Sequence, residues 1–268
     1  MSKRPNDASA FHKLHDELLI LPNAWDAASA KAVEIAGAKA IATSSAAVAW
    51  ANAKADGHHL PVEILIATIG EIERAVKLPI TADAEGGYSD DPAAVGENVA
   101  RLIQAGAVGI NLEDSTSPHE LHLKKIEAAR AAGEREGVML FINARTDVYL
   151  KKLVPAEQAV TETLRRAKAI RDAGASGLFV PWVIDAGEIG IFAKEVGLPL
   201  NVMARPGLPK ADALRALGVK RLSAATALFN VAMEAVRGAA AEFLSAGESE
   251  ALYGRTGKPP NWNELFAG

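Results

Sequence analysis

The stretch "AGAVGI", residues 105–110, decides how this chain is built. It has two look-alikes, "AGAKAI" at 36–41 and "AGASGL" at 173–178. In each, an amphipathic segment ends at a glycine and an apolar run begins. Glycine tolerates the left-handed backbone that closes a helix, so each piece reads as a helix end feeding a strand. Working outward, the same rhythm fills the chain. Strands are predicted over 18–21, 40–43, 79–82, 109–112, 139–143, 177–180, 199–202 and 221–223. Helices are predicted near 25–37, 62–77, 92–105, 119–136, 155–173, 185–196, 209–217 and 224–245. Strands alternating with helices imply a parallel sheet. Eight such units in 268 residues match a (β/α)8 TIM-type barrel. We read residues 1–268 as one such domain, with a short N-terminal helix and a C-terminal tail. The rival is a doubly wound open sheet, but no glycine-rich dinucleotide fingerprint follows the first strand.

Composition narrows the function classes. Hydrophobic residues make up 49% of the chain, enough for a large core. The net charge is −4 with no basic block, which argues against a nucleic-acid partner. The chain has no cysteine, which excludes disulfides, thiolate metal sites and a cysteine nucleophile. The N-terminus is polar and lacks a signal-peptide pattern, and the longest run without a charged residue or histidine, Ala40 to Ala53, is too short to span a bilayer. A cytoplasmic protein is expected.

A barrel predicts that functional groups sit just after strands, where the carboxyl ends meet at one mouth. Asp83 and Glu85 follow the third predicted strand, and Glu113 and Asp114 follow the fourth. Crowded carboxylates resist ionising unless a cation is present, and oxygen ligands suit Mg²⁺, with Mn²⁺ as the alternative. The competing reading makes Asp83 a turn cap and Asp114 a helix cap. Arg145, emerging from "NARTD" at 143–147, can hold a carboxylate or enolate oxygen in its planar fork, or form an ion pair with Asp147 or Glu113. The small residues Ser44, Ser45 and Ala46 allow a ligand close to backbone N–H groups, or simply pack a tight turn. Asp56, beside Gly57, belongs either to a lid or to an exposed turn carrying His58 and His59. His119 and His122, spaced i, i+3, read as surface or capping residues.

Five pieces together resemble the isocitrate lyase/phosphoenolpyruvate mutase superfamily over nearly the whole chain. They are "LPNAWD" at 21–26, "TSS" at 43–45, "ADAEGGY" at 82–88, "NLED" at 111–114 and "NARTD" at 143–147. The resemblance implies a barrel with Mg²⁺ at its mouth and a homo-dimer or homo-tetramer, often exchanging the last helix between subunits. It assigns the metal to Asp83, Glu85 and Glu113. It assigns catalytic roles to Arg145, Asp56 and Glu113, and substrate binding to Trp25, Ser44, Ser45, Ala46, Tyr88 and Asn201. Three departures stand out: Glu85 replaces the lyase aspartate, the substrate-holding glycines are absent at Ser45 and Ala46, and the cysteine-bearing lid after the fourth strand is missing. The implied function is a Mg²⁺-dependent lyase-type enzyme acting on a small 2-oxo or 2-hydroxy di-acid through a pyruvate-like enolate. Asp56, Tyr88 and His119 are candidates for the general acid or base. A phosphonomutase or phosphonate hydrolase relative, and a non-catalytic binder of 2-oxo acids, are the alternatives.

Overall fold

A computed structural model describes residues 4–256 and 259–267. The chain divides into two compact units, Met1–Thr226 and Ala227–Gly268. The first is a TIM-type barrel of parallel strands with helices between them. Its strands are β1 (Leu19–Leu21), β2 (Asn23–Ala24), β3 (Ile41–Thr43), β4 (Ile80–Asp83), β5 (Ala107–Glu113), β6 (Phe141–Arg145), β7 (Gly177–Phe179), β8 (Leu200–Met203) and β9 (Arg221–Ser223). Among the described residues nine strands are present where eight were predicted, because Pro22 divides the first stave. Proline lacks the N–H that a ladder needs. β1 pairs with β9, and β2, one residue further on, pairs with β3, so the broken stave closes the ring.

The helices are α1 (Arg4–Lys13), α2 (Ala27–Ile35), α3 (Ser45–Ala51), α4 (Val62–Ala75), α5 (Pro92–Ala105), α6 (His119–Arg135), α7 (Ala159–Asp172), α8 (Ala186–Glu195) and α9 (Ala211–Ala216). Gly37, Gly106 and Gly174, the glycines of the three look-alike pieces, all take positive φ, at 94°, 124° and 99°. α5 shows how the sequence builds such an element. Asp91 caps it by accepting from the Ala93 N–H at 3.0 Å, Pro92 opens it, and Gly106 ends it. Its inner face buries Val95, Val99, Leu102 and Ile103.

α1 stoppers the amino end of the barrel. Phe11 is wholly buried against Gly109, where a Cβ would lie 2.8 Å from the Phe11 ring. His15 stacks on Phe141 with ring centroids 4.0 Å apart. The carboxyl end of the barrel is therefore the end available for a site.

The second unit contains α10 (Ala227–Ala246), α11 (Ser249–Thr256) and α12 (Trp262–Leu265). α10 buries none of its residues and exposes Val231, Val236 and Leu244. Among the described residues, no helix is long and apolar enough to cross a membrane.

Candidate active site

The mouth holds a cavity of about 200 Å³. Asn23, Ser44, Ser45, Ala46, Asp56, Asp83, Asn111 and Arg145 line its polar side, and Leu150, Phe179, Pro181, Trp182 and Met203 its apolar side. Six predicted site residues thus share one wall: Ser44, Ser45, Ala46, Asp56, Asp83 and Arg145. A larger hollow of about 650 Å³ lies beside residues 148–156, but Lys152 and Glu188 are the only charged groups in its wall. The mouth is the place where charge converges.

Asp83 closes β4, so its side chain is delivered to the mouth by the strand itself. One carboxylate oxygen accepts the Ser45 N–H at 3.0 Å and the other faces Asn111 Nδ2 at 3.4 Å. Its own N–H donates to Thr43 Oγ1 at 2.9 Å. The Ser45 N–H is thereby committed, as is that of Ser44, which donates to Ala24 O at 3.3 Å. A ligand at this turn would meet the serine hydroxyls and Ala46 rather than those two amides. Ser45 begins α3, a helix that the sequence reading took for a tight turn.

Glu85 goes elsewhere. The strand has ended, and Glu85 takes a left-handed φ of 48°, so the two-residue alternation with Asp83 no longer holds. Its carboxylate is buried, accepting from the His58 N–H and, at 3.2 Å, from Tyr88 Oη. Gly86 donates to His58 Nε2 at 2.9 Å, and a Cβ on Gly86 would crowd that ring at 3.0 Å. Gly87, at φ 87°, lies so near α5 that a Cβ would come 2.6 Å from Val95 Cγ1. These contacts explain the double glycine of "EGGY". They also fasten the 52–61 loop over the mouth and place Asp56 in the wall. Burial, with Asp83 and Asp56 nearby, pushes the Glu85 carboxyl up to about 7.

Arg145 ends β6 and is held on two sides. Nη1 meets Glu113 Oε2 at 2.6 Å, while Nε and Nη2 grip Asp147 at 2.7 and 2.9 Å. Two of its five N–H donors are committed to hydrogen bonds with Asp147, while Nη1 faces Glu113 as an ion pair. Burial, aided by Asp83, Asp147 and Glu85, holds Glu113 up at about 8 despite Arg145. Glu85 and Glu113 are therefore acids whose ionisation is suppressed by their surroundings.

Several predicted residues stand apart from the wall. Asp114 is wholly buried and caps no helix. It accepts from Thr146 Oγ1 at 2.7 Å, the Asp147 N–H at 2.8 Å and Arg166 Nη1 at 2.7 Å. Asn201, expected at the substrate, is fully buried beneath the mouth. Its Oδ1 accepts from Asn143 at 2.9 Å, and its Nδ2 donates to Val202 O at 2.7 Å. Tyr88 is occupied by Glu85, and Trp25 lies outside the cavity wall beside the Asp26–Ser29 capping box. His119 and His122 are buried, not superficial.

Two residues escaped the sequence reading. His58 is an exposed loop residue, as read, but its contacts with Glu85 and Gly86 were not legible because those partners lie 27 and 28 positions away. Arg221, at the start of β9, is fully buried and reaches Asn111 Oδ1 at 3.2 Å, placing a second cation under Asp83. Burial lowers its pKa to about 9, with Asp83 opposing that shift. A charged residue inside a strand was the available signal.

A divalent cation fits this donor set. Asp83 in the cavity wall offers a hard oxygen donor, and Glu85 and Glu113, raised first by burial and then by Asp83, are acids whose charged form a nearby cation favours.

The family model described as phosphoenolpyruvate phosphomutase matches residues 11–244. An uncharacterised protein of Mycobacterium tuberculosis (strain ATCC 25618 / H37Rv) is 34% identical over 241 residues, covering 89% of this chain and 90% of that protein. "Probable 2-methylisocitrate lyase 2" of Corynebacterium glutamicum is 26% identical, covering 86% and 78%. A crystal structure from Burkholderia cenocepacia J2315, provisionally described as a phosphonomutase, is 39% identical with a TM-score of 0.83, covering 87% and 98%. Phosphonopyruvate hydrolase in complex with oxalate and Mg²⁺ shares the fold at 24% identity and a TM-score of 0.85, covering 97% and 95%.

Proposed function

The chain belongs to the phosphoenolpyruvate phosphomutase family, within the superfamily that also holds the isocitrate lyases, and from that premise we propose that it is a Mg²⁺-dependent lyase acting on a small 2-oxo or 2-hydroxy di-acid. The observation that carries this reading is the convergence of Asp83, Asp56, the Ser44–Ala46 turn and Arg145 on one cavity of about 200 Å³. That volume suits a small di-acid and leaves little room for a drug-sized ligand.

Asp83 and Glu113 would hold the ion, with Glu85 close behind, and when bound the ion supplies Lewis-acid charge opposite an oxyanion. The N–H donors of Arg145 that Asp147 does not take orient the 2-oxo-acid end and stabilise the charge that develops as the enolate forms. Asp147 and Glu113 keep that guanidinium from turning. The serine hydroxyls at the start of α3 meet the substrate carboxylate. The apolar wall of Phe179, Pro181 and Met203 excludes water from the bond that breaks. Asp56, on the latched loop, is the best placed group to move a proton at the mouth. His119 lies outside the cavity wall, so this reading gives it no part in that transfer. Apolar residues exposed on α10 support assembly into a dimer or tetramer through the second unit.

A panel assay tests the reaction. Pyruvate, glyoxylate, CO₂ and phosphate release would be followed across 2-hydroxy and 2-oxo di-acids and phosphonopyruvate, with Mg²⁺ and then with chelator. Mg²⁺-dependent release of pyruvate or another 2-oxo acid from a di-acid is expected. Phosphate release from phosphonopyruvate alone would move the assignment to a phosphonate hydrolase. Tight oxaloacetate binding without turnover would make the protein a binder.

A further inference from the structure

Asp114, His119 and His122 form a cluster away from the mouth cavity. One ligating atom from each lies within 4.8 Å of the other two, and their exposures are 0%, 7% and 0%. His122 Nε2 bonds to the Leu112 carbonyl at 3.0 Å, an arrangement that makes Nε2 the protonated nitrogen and leaves Nδ1 a bare lone pair. That Nδ1 and both ring nitrogens of His119 have no hydrogen-bond partner in the protein. Buried polar atoms are normally satisfied, so three unpartnered nitrogens around one carboxylate call for an explanation.

We propose that Asp114, His119 and His122 form a second metal site, for a nitrogen-preferring divalent ion of the Zn²⁺ class, which fastens the start of α6 to the end of β5. The two histidines, at i and i+3 on the first turns of α6, share one helix face. The bond from His122 to a backbone carbonyl is the outer contact that metal-bound imidazoles use to fix their orientation. Asp114 retains capacity. Oδ2 already accepts from Thr146 and Arg166, but Oδ1 accepts only from the Asp147 N–H, leaving it one lone pair. Burial lowers the protonation of both imidazoles, so each presents the neutral form that ligates.

The strongest opposing term is Arg166, 2.7 Å from Asp114 Oδ2. Glu162 accepts from Arg166 Nε at 2.7 Å and from Arg165, and Asp147 is paired with Arg145, so three acids and three cations balance around the cluster and it is not net positive. Two imidazoles and one carboxylate make a borderline donor set that favours Zn²⁺ or Co²⁺ over Mg²⁺, unlike the all-oxygen mouth. Zn–N bonds are about 2.0–2.1 Å, so the three groups must draw in modestly around the ion.

The experiment uses the full chain, stripped with chelator and titrated with Co²⁺ in saturating Mg²⁺, which occupies the mouth. One equivalent of Co²⁺ with the strong visible absorption of a four- or five-coordinate site is expected, and Zn²⁺ should displace it. His119→Ala, at the edge of the cluster, should weaken binding by more than the roughly 10–100-fold typical of losing a mere supporting contact. Asp83→Asn, at the mouth, should leave the Co²⁺ spectrum unchanged. If wild-type protein binds no Co²⁺ or Zn²⁺ beyond what Mg²⁺ displaces, or if folded His119→Ala and His122→Gln bind as wild type does, the site does not exist. Should His122→Gln fail to fold, His119→Ala decides alone.

Discussion

Proton linkage at the mouth makes a quantitative demand. Glu85 and Glu113 titrate near 7 and 8 in the folded protein, against 4.5 for the free side chain. Between those limits the folded state holds protons that the unfolded chain has released. Stability must therefore fall as pH rises through that range, the opposite of an ordinary ion-paired carboxylate. His12, His15, His58, His119 and His122 are all lowered and act with the other sign. An unfolded imidazole is still half protonated at pH 6.5, so each takes back up to about 0.4 kcal/mol between pH 6.5 and 8. The two glutamates lose about 2 kcal/mol across that window, which leaves a net loss of about 1 kcal/mol. For a protein of this size that corresponds to a fall in melting temperature of about 2–4 °C. Mg²⁺ binds the ionised carboxylates, so it should restore little at pH 6.5 and much at pH 8. At a hundred times its dissociation constant it contributes about 2.7 kcal/mol. Differential scanning calorimetry of chelator-treated protein, with and without Mg²⁺, measures both. A melting temperature that stays level or rises across the window without metal, or a Mg²⁺ shift independent of pH, would show that these acids do not form one cation-responsive cluster.

Three further outcomes are expected. Arg145→Lys, which loses the planar fork, should lower kcat by about 10²–10³-fold, read in the same coupled assay; an equal rise in KM with kcat intact would demote the residue to ground-state binding. Asp56→Asn should cut kcat by about 10²–10⁴-fold with an unchanged melting curve, since the side chain is exposed, and full activity would remove it from proton transfer. Gly87→Ala, with its Cβ 2.6 Å from Val95 Cγ1 and φ at 87°, should cost more than about 1 kcal/mol in urea denaturation, partly recovered by Val95→Ala.

Much of the barrel was legible because apolar runs and closing glycines are local signals. β9 and α5 fall on their predicted residues. The divided first stave was not expected, because only the pairing partners on either side show that Pro22 interrupts one strand rather than ending it. α3 was missed because Ser45 to Ala51 is nearly all small and buried, so it has no amphipathic period to read. At the site, Asp83 and Arg145 were legible because strand ends deliver them to the mouth. The turn that buries Glu85 against His58 and Tyr88 was not legible, because alternation was carried past the last strand residue into a left-handed conformation. Asp114 was open to both readings because Thr146 and Arg166, which claim it, lie 32 and 52 residues away.

The loop latch has a consequence of its own. The His58 N–H that fastens the loop also favours the charged form of Glu85. Burial and the Asp56 carboxylate that the same loop carries oppose it, so reciprocity ties the latch to the proton on Glu85 with the sign of that balance. Latch and ionisation become two readings of a single equilibrium, so an alkaline shift or an arriving cation would move the loop without touching it.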